Sequence, residues 1–253
     1  LKPDGNGKLS KRDGDRLGFP VFPTNWTTAE GEIFSGYREK GYFTGAFINM
    51  LAFLGWNPGT TQEIFSLEEL VAAFSLDRVS KAGAKFDPDK TKWFQQQYIR
   101  SADNSELASM LNNELEESHG LDKLEKVCEL IKERATFITD IWTEGSFLLE
   151  RPVEYDAKTT KKKWKGDAEK NMLGLKAVLI ELDDFSPEEV EIAFKSFLEK
   201  NEIGIGAVLP QLRLLLSGKG MGPSVFEISS FLGKEETLER INVGMSALAT
   251  ANV

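Results

Sequence analysis

The chain has a single cysteine, a single histidine and no excess of positive charge, and each shortage removes a class of chemistry. Cys128 alone cannot close an intrachain disulfide, which fits a reducing, cytoplasmic setting. With His119 as the only imidazole, no Cys/His metal cluster can be assembled, and no metal site is expected. The most apolar stretch, Phe43 to Trp56, is interrupted by Thr44, Gly45 and Asn49 and falls short of the roughly 20 residues that a membrane span requires. The first twenty residues carry Lys2, Asp4, Lys8, Lys11, Arg12, Asp13, Asp15 and Arg16, charges foreign to a signal peptide, so a segment of a longer protein without membrane association is expected. A formal net charge of −9 excludes simple coating of a nucleic acid by a basic surface. Any such contact must be local.

What is present is charge in blocks. Residues 78–100 carry Arg78, Lys81, Lys85, Lys90, Lys92 and Arg100 against Asp87 and Asp89, a local balance of +4, whereas residues 101–122 carry six acids and no Lys or Arg. A second basic run, Lys161, Lys162, Lys163 and Lys165, surrounds Trp164. By spacing alone these runs are equally solvated helix faces.

Helix signals dominate after a glycine- and proline-bearing loop over residues 1–25. Ser66 with Glu69 predicts a capping box opening a helix from Leu67 to about Phe74. Asp87-Pro88 predicts an N-cap and first turn for a helix to about Ile99. Leu121, Leu124, Val127, Ile131, Ala135, Ile138 and Trp142 recur at steps of three and four and predict one long amphipathic helix, with Cys128 as core filler and His119 exposed in the turn before it. Phe43, Phe47, Leu51 and Leu54 are expected in the core. Ser186, Pro187 and Glu189 predict a second capping box and a helix to about Lys200. Leu209 to Leu216 should stop at Gly218; Ser224 should cap a helix ending at Gly233, followed by another over 235–242. Little alternates with period two, so the expected class is mainly α, without a regular repeat.

The segment with most chemical content is Lys8-Leu9-Ser10-Lys11-Arg12. Two lysines three apart, with a hydroxyl between, can stabilise charge on a departing pyrophosphate, although a five-residue basic loop is more often plain solvated surface. The run resembles the KMSKS signature of class I aminoacyl-tRNA synthetases, with Leu9 and Arg12 where the general signature has Met and Ser. Tyr37 to Phe43 with Ala46 to Trp56, Glu63 to Leu70, Arg78 to Lys81, Lys85 to Lys90, Pro210 to Arg213 and Leu232 to Glu236 resemble, in order, the bacterial type of glutamyl-tRNA synthetase. Residues 17–36 run differently from that family's commonest pattern.

The resemblance implies ligation of glutamate to tRNA(Glu) through a glutamyl-adenylate, using ATP with Mg in the full-length protein. Lys8, Leu9, Ser10, Lys11 and Arg12 would form the loop over the ATP phosphates. It further implies an end of the catalytic core over 1–25, a helical stem-contact region over 26–100, and all-helical anticodon-binding subdomains over 101–157 and 158–253. The catalytic domain with its HIGH signature has no counterpart here, so this chain alone is expected to be inactive, to hold no cofactor, and to be a monomer. Arg78, Lys81, Lys85 and Arg100 are candidates for tRNA phosphate contact. Lys163 and Arg213 are candidates in the anticodon region, where bases are read by hydrogen bonds and stacking. Arg213 equally suits a helix-packing residue tying neighbouring carbonyls, and Trp164 equally suits packing on its own domain.

Overall fold

The computed structural model describes residues 1–250, the side chains of Lys11, Arg12, Asp15 and Thr250 lying outside that description. Two compact units divide the chain, Leu1–Ile141 and Trp142–Val253. Both are helical, as the caps and stripes predict. The first also holds a two-stranded antiparallel sheet, β1 (Trp26–Thr27) with β2 (Ile33–Phe34), in which Trp26 faces Phe34.

Within the first unit the opening residues are not all loop. A short helix, α1 (Lys11–Leu17), forms because Asp13 accepts the Ser10 N–H and so satisfies a donor that the first turn would leave orphaned. Next come α2 (Thr44–Phe53), α3 (Leu67–Ala73) and α4 (Pro88–Ser101). Ser66 and Glu69 close the expected capping box, with Glu69 N–H on the Ser66 hydroxyl at 3.2 Å and Ser66 N–H on the Glu69 carboxylate at 2.7 Å. The Asp87 carboxylate likewise accepts the N–H groups of Asp89 and Lys90, both at 3.0 Å.

Asn49 and Gln95 add buried polar ties around α2 and α4 to the apolar packing of Met50 and Phe53 with Phe94. Leu51 is 48% exposed, contrary to expectation, while Asn49 is fully buried and gives its amide to the Phe65 carbonyl at 2.6 Å and to the Tyr98 hydroxyl. Gln95, also fully buried, accepts the Phe43 N–H at 2.8 Å and donates to the Gly41 carbonyl at 3.2 Å. Buried amides are tolerated only when bonded in this way. Around them Phe19, Tyr37, Ala46, Met50, Phe86 and Phe94 form the core.

The long helix expected over 121–142 is broken. α5 (Asn104–Glu114) packs on α6 (Leu121–Ile131), a 3-10 turn follows at Lys132–Arg134, and α7 (Ile138–Gly145) starts afresh. Asp140 causes the restart: one carboxylate oxygen accepts the N–H groups of Thr136 and Phe137, each at 2.9 Å, and Ala135 is extended. Leu124, Val127, Ile131 and Ala135 remain buried, so the stripe was a sound guide to burial and a poor one to continuity. Cys128 is core, with burial pushing its thiol up to about 11, and His119 is half-buried before Gly120, whose φ of 81° turns the chain into α6.

The second unit comprises α8 (Ala157–Lys163), α9 (Ala168–Ile180), α10 (Pro187–Lys200), α11 (Leu209–Ser217) and α12 (Val225–Thr250). Ser186 caps α10 as expected, but Asp184 rather than Glu189 accepts the Ser186 N–H, at 3.0 Å. Gly218, at φ 70°, stops α11 in the left-handed conformation its sequence position predicts. Gly233, at φ 75° and ψ 168°, interrupts α12, and the helical residues beyond it extend past the expected Asn242.

Candidate nucleic-acid interface

Lys8 is exposed on the loop before α1, and Leu9 packs against the core of Phe19 and Tyr37. Ser10 is committed locally. Its hydroxyl and N–H both reach Asp13 Oδ2, at 2.6 and 2.9 Å, while Arg16 Nη2 at 2.8 Å and Lys2 Nζ at 3.4 Å reach Oδ1. The Ser10 hydroxyl bond, then Arg16, hold the Asp13 carboxyl far below the usual carboxylate range. Lys11 and Arg12 lie, as side chains, outside the described residues. Among the described side chains the loop therefore presents the exposed Lys8 ammonium, while the Ser10 proton is engaged by Asp13. For Mg, no group of three or more His, Cys, Asp or Glu able to hold a metal ion occurs among the described residues.

The stretch from Arg78 to Arg100 meets the first residue of the chain near its middle, where Phe86 N–H donates to the Leu1 carbonyl at 3.1 Å. Half of its cations are tied down. Arg78 donates to the Pro58 carbonyl, Lys90 pairs with Glu63 at 2.6 Å above the Trp93 ring, and Arg100 binds the Glu133 carbonyl at 3.0 Å and its carboxylate at 3.3 Å. Lys81, Lys85 and Lys92 stand exposed.

In the second unit, Lys163 ends α8, and its carbonyl accepts Gln211 Nε2 at 2.9 Å. Trp164 is buried. Arg213 donates to the Pro223 carbonyl, the carbonyl-tying role that its apolar neighbourhood allowed. Sequence reasoning gave no role to Arg240, which belongs with Ile241 to the closing stretch of the family resemblance and is only 3% exposed. Its guanidinium donates to the carbonyls of Leu216 at 2.8 Å and Phe147 at 2.5 Å and to Glu236 at 2.8 Å. Glu236 is shared with Arg151, whose two bonds at 2.8 and 2.6 Å lead in holding that carboxyl down at about 2. A charge at the last helix's apolar seam was the available signal; its carbonyl partners lie too far along the chain to be read.

A family model described as "Anticodon binding domain" matches residues 106–245. The chain belongs to the anticodon-binding domain family that this model describes. It is 52% identical to a glutamate–tRNA ligase of Phocaeicola vulgatus and 51% identical to one of Flavobacterium johnsoniae, each match covering 98% of this chain and 50% of the relative. Among solved structures, a glutamate tRNA ligase from Elizabethkingia meningosepticum, in complex with its amino acid, matches at a TM-score of 0.90 and 42% identity, over 98% of this chain and 50% of that one. The chain thus spans about half the length of the ligases it matches. The mainly α expectation agrees with this family fold. Among the described residues no helix is long and apolar enough to cross a membrane.

Proposed function

We propose that this chain is the tRNA-reading part of a cytoplasmic ligase that joins glutamate to tRNA(Glu) with ATP and Mg. The observation that carries this reading is the anticodon-binding match over residues 106–245. In it, residues 26–100 contact the tRNA stem, and residues 101–157 and 158–253 form two anticodon-binding subdomains. Lys81 and Lys85, both exposed, would meet phosphates, with Arg78 and Arg100 held by their bonds to the Pro58 and Glu133 carbonyls. Lys163 and Arg213 would serve the anticodon region. Arg213 does so by fixing the Pro223 loop as well as by direct contact.

Residues 1–25 would close the edge of a catalytic core, with Lys8 to Arg12 beside the ATP phosphates. Bound there, ATP supplies the activation of the glutamate carboxyl. Lys8 neutralises phosphate charge, and release of Ser10 from Asp13 would free its hydroxyl to donate. The chain alone is monomeric and does not aminoacylate.

A filter-binding titration of residues 1–253 at low salt tests the reading. Preference for tRNA(Glu) over an unrelated tRNA, weakening steeply as salt rises, supports it. Equal binding of both tRNAs would remove the specificity claim.

A further inference from the structure

A cavity of about 630 Å³ lies within the second unit, bounded by α9, the end of α10 with its following loop, and α11. Part of its wall offers hydrogen-bond acceptors. Gln211 is 5% exposed, and the bond from its Nε2 to the Lys163 carbonyl fixes the amide so that Oε1 is buried with no partner. Asn201 likewise gives Nδ2 to the Phe197 carbonyl at 2.8 Å, leaving its oxygen as an acceptor. The carboxylates of Asp167 and Glu202 line the same space. A buried acceptor left unsatisfied costs about 1–3 kcal/mol, so this wall is complementary to a ligand rich in N–H donors.

Two further features narrow the ligand. Lys165 and Lys170, both exposed, also line the cavity and provide for an anion. Phe197 supplies an aromatic wall, and it sits so close to α9 that a Cβ on Gly174 would fall 2.8 Å from its ring. Glu202 itself is held against backbone preference. It is the one non-glycine residue with positive φ (55°) among the described residues, at the position after α10 where the Ile203 N–H closes back on the Leu198 carbonyl and where glycine is favoured. Strain of this kind persists where surrounding structure or function demands the side chain.

We propose that this cavity binds a nucleotide whose base carries an exocyclic amine, adenine, cytosine or guanine. The two hydrogens of the amine go to the Gln211 oxygen and the Glu202 carboxylate, the ring lies against Phe197, and the phosphate meets Lys165 and Lys170. The nucleotide is either free or an unpaired residue of RNA, and only the RNA source rests on the tRNA reading above.

Titration of the whole chain with CMP, AMP, GMP and UMP, followed by the amide resonances of Asn171, Asn201 and Gln211, tests the site. Saturable shifts are expected with the three amine-bearing nucleotides, and binding of UMP at least tenfold weaker than that of CMP. Glu202→Gly removes a carboxylate while relieving the left-handed strain, so it should raise Tm and weaken CMP at least threefold. Displacement of CMP by tRNA(Glu) assigns the site to an RNA nucleotide; CMP binding without displacement assigns it to a free one. Absence of saturable shifts, UMP binding equal to CMP, or unchanged CMP affinity in Glu202→Gly would overturn the proposal. Were tRNA(Glu) still bound in that case, the tRNA reading would stand and this site alone would fall.

Discussion

Ser10 gives both its hydroxyl and its backbone N–H to one oxygen of Asp13, at 2.6 and 2.9 Å, and thereby starts α1 beside Lys8. Because these bonds and Arg16 depress the Asp13 pKa, ionised Asp13 stabilises the fold above the ordinary carboxylate range of about 4. That contribution is lost progressively as pH falls further. Asp13→Asn should therefore lower Tm at pH 7, with the gap to the wild type narrowing below about pH 4. Calorimetry across pH 2–7, on the scale of ordinary carboxylate titration, checks this; a constant gap would contradict it.

Arg240→Ala should be the most damaging single change in the second unit. It strands the Phe147 and Leu216 carbonyls and leaves Glu236 with Arg151 alone, a loss of about 3 kcal/mol. Urea unfolding measures it. The Glu236 carboxyl, held at about 2, adds an acid dependence of the same sign as Asp13, its contribution being full above the ordinary glutamate value of about 4.3 and lost as pH falls through 2.

Gly218 admits no side chain. A Cβ there would lie 2.5 Å from the Glu154 carbonyl oxygen, on a residue already at φ 70°, and the Gly218 carbonyl accepts the Asp156 N–H at 2.8 Å. Gly218→Ala should lower stability by about 2 kcal/mol in the same urea assay, whereas Gly5→Ala, whose Cβ would meet nothing within 4 Å, should cost no more than its own positive φ requires, about 1 kcal/mol.

If Lys81 and Lys85 meet phosphates, replacing both with alanine should weaken binding of every tRNA alike. The slope of log affinity against log salt should then fall by about 2, one for each released counterion. An unchanged slope would exclude both residues from phosphate contact.

Much of this fold was legible where the decisive bonds are local. Ser66 with Glu69, Asp87 with Pro88, and Gly218 each act on their own backbone within four residues, and each performs as the sequence predicts. The failures were competitions. Asp140 captured two N–H groups from the expected long helix, Asp184 displaced Glu189 from the second capping box, and Asp13 made a helix of an apparently irregular stretch. Arg240 was invisible because its Phe147 partner lies 93 residues away. For the candidate interface, order and spacing of motifs were legible. Which cations are engaged was not, because Glu63, Pro58 and Glu133 bind Lys90, Arg78 and Arg100 only in the folded chain.

The central claim is that this chain reads the anticodon of tRNA(Glu). Its most direct test is the affinity of residues 1–253 for tRNA(Glu) against the same tRNA with only its three anticodon bases exchanged, at fixed salt. Binding at least tenfold weaker to the exchanged tRNA is predicted, the loss expected when base hydrogen bonds worth about 1–3 kcal/mol are removed while phosphate contacts persist. Equal affinity for the two would contradict the claim.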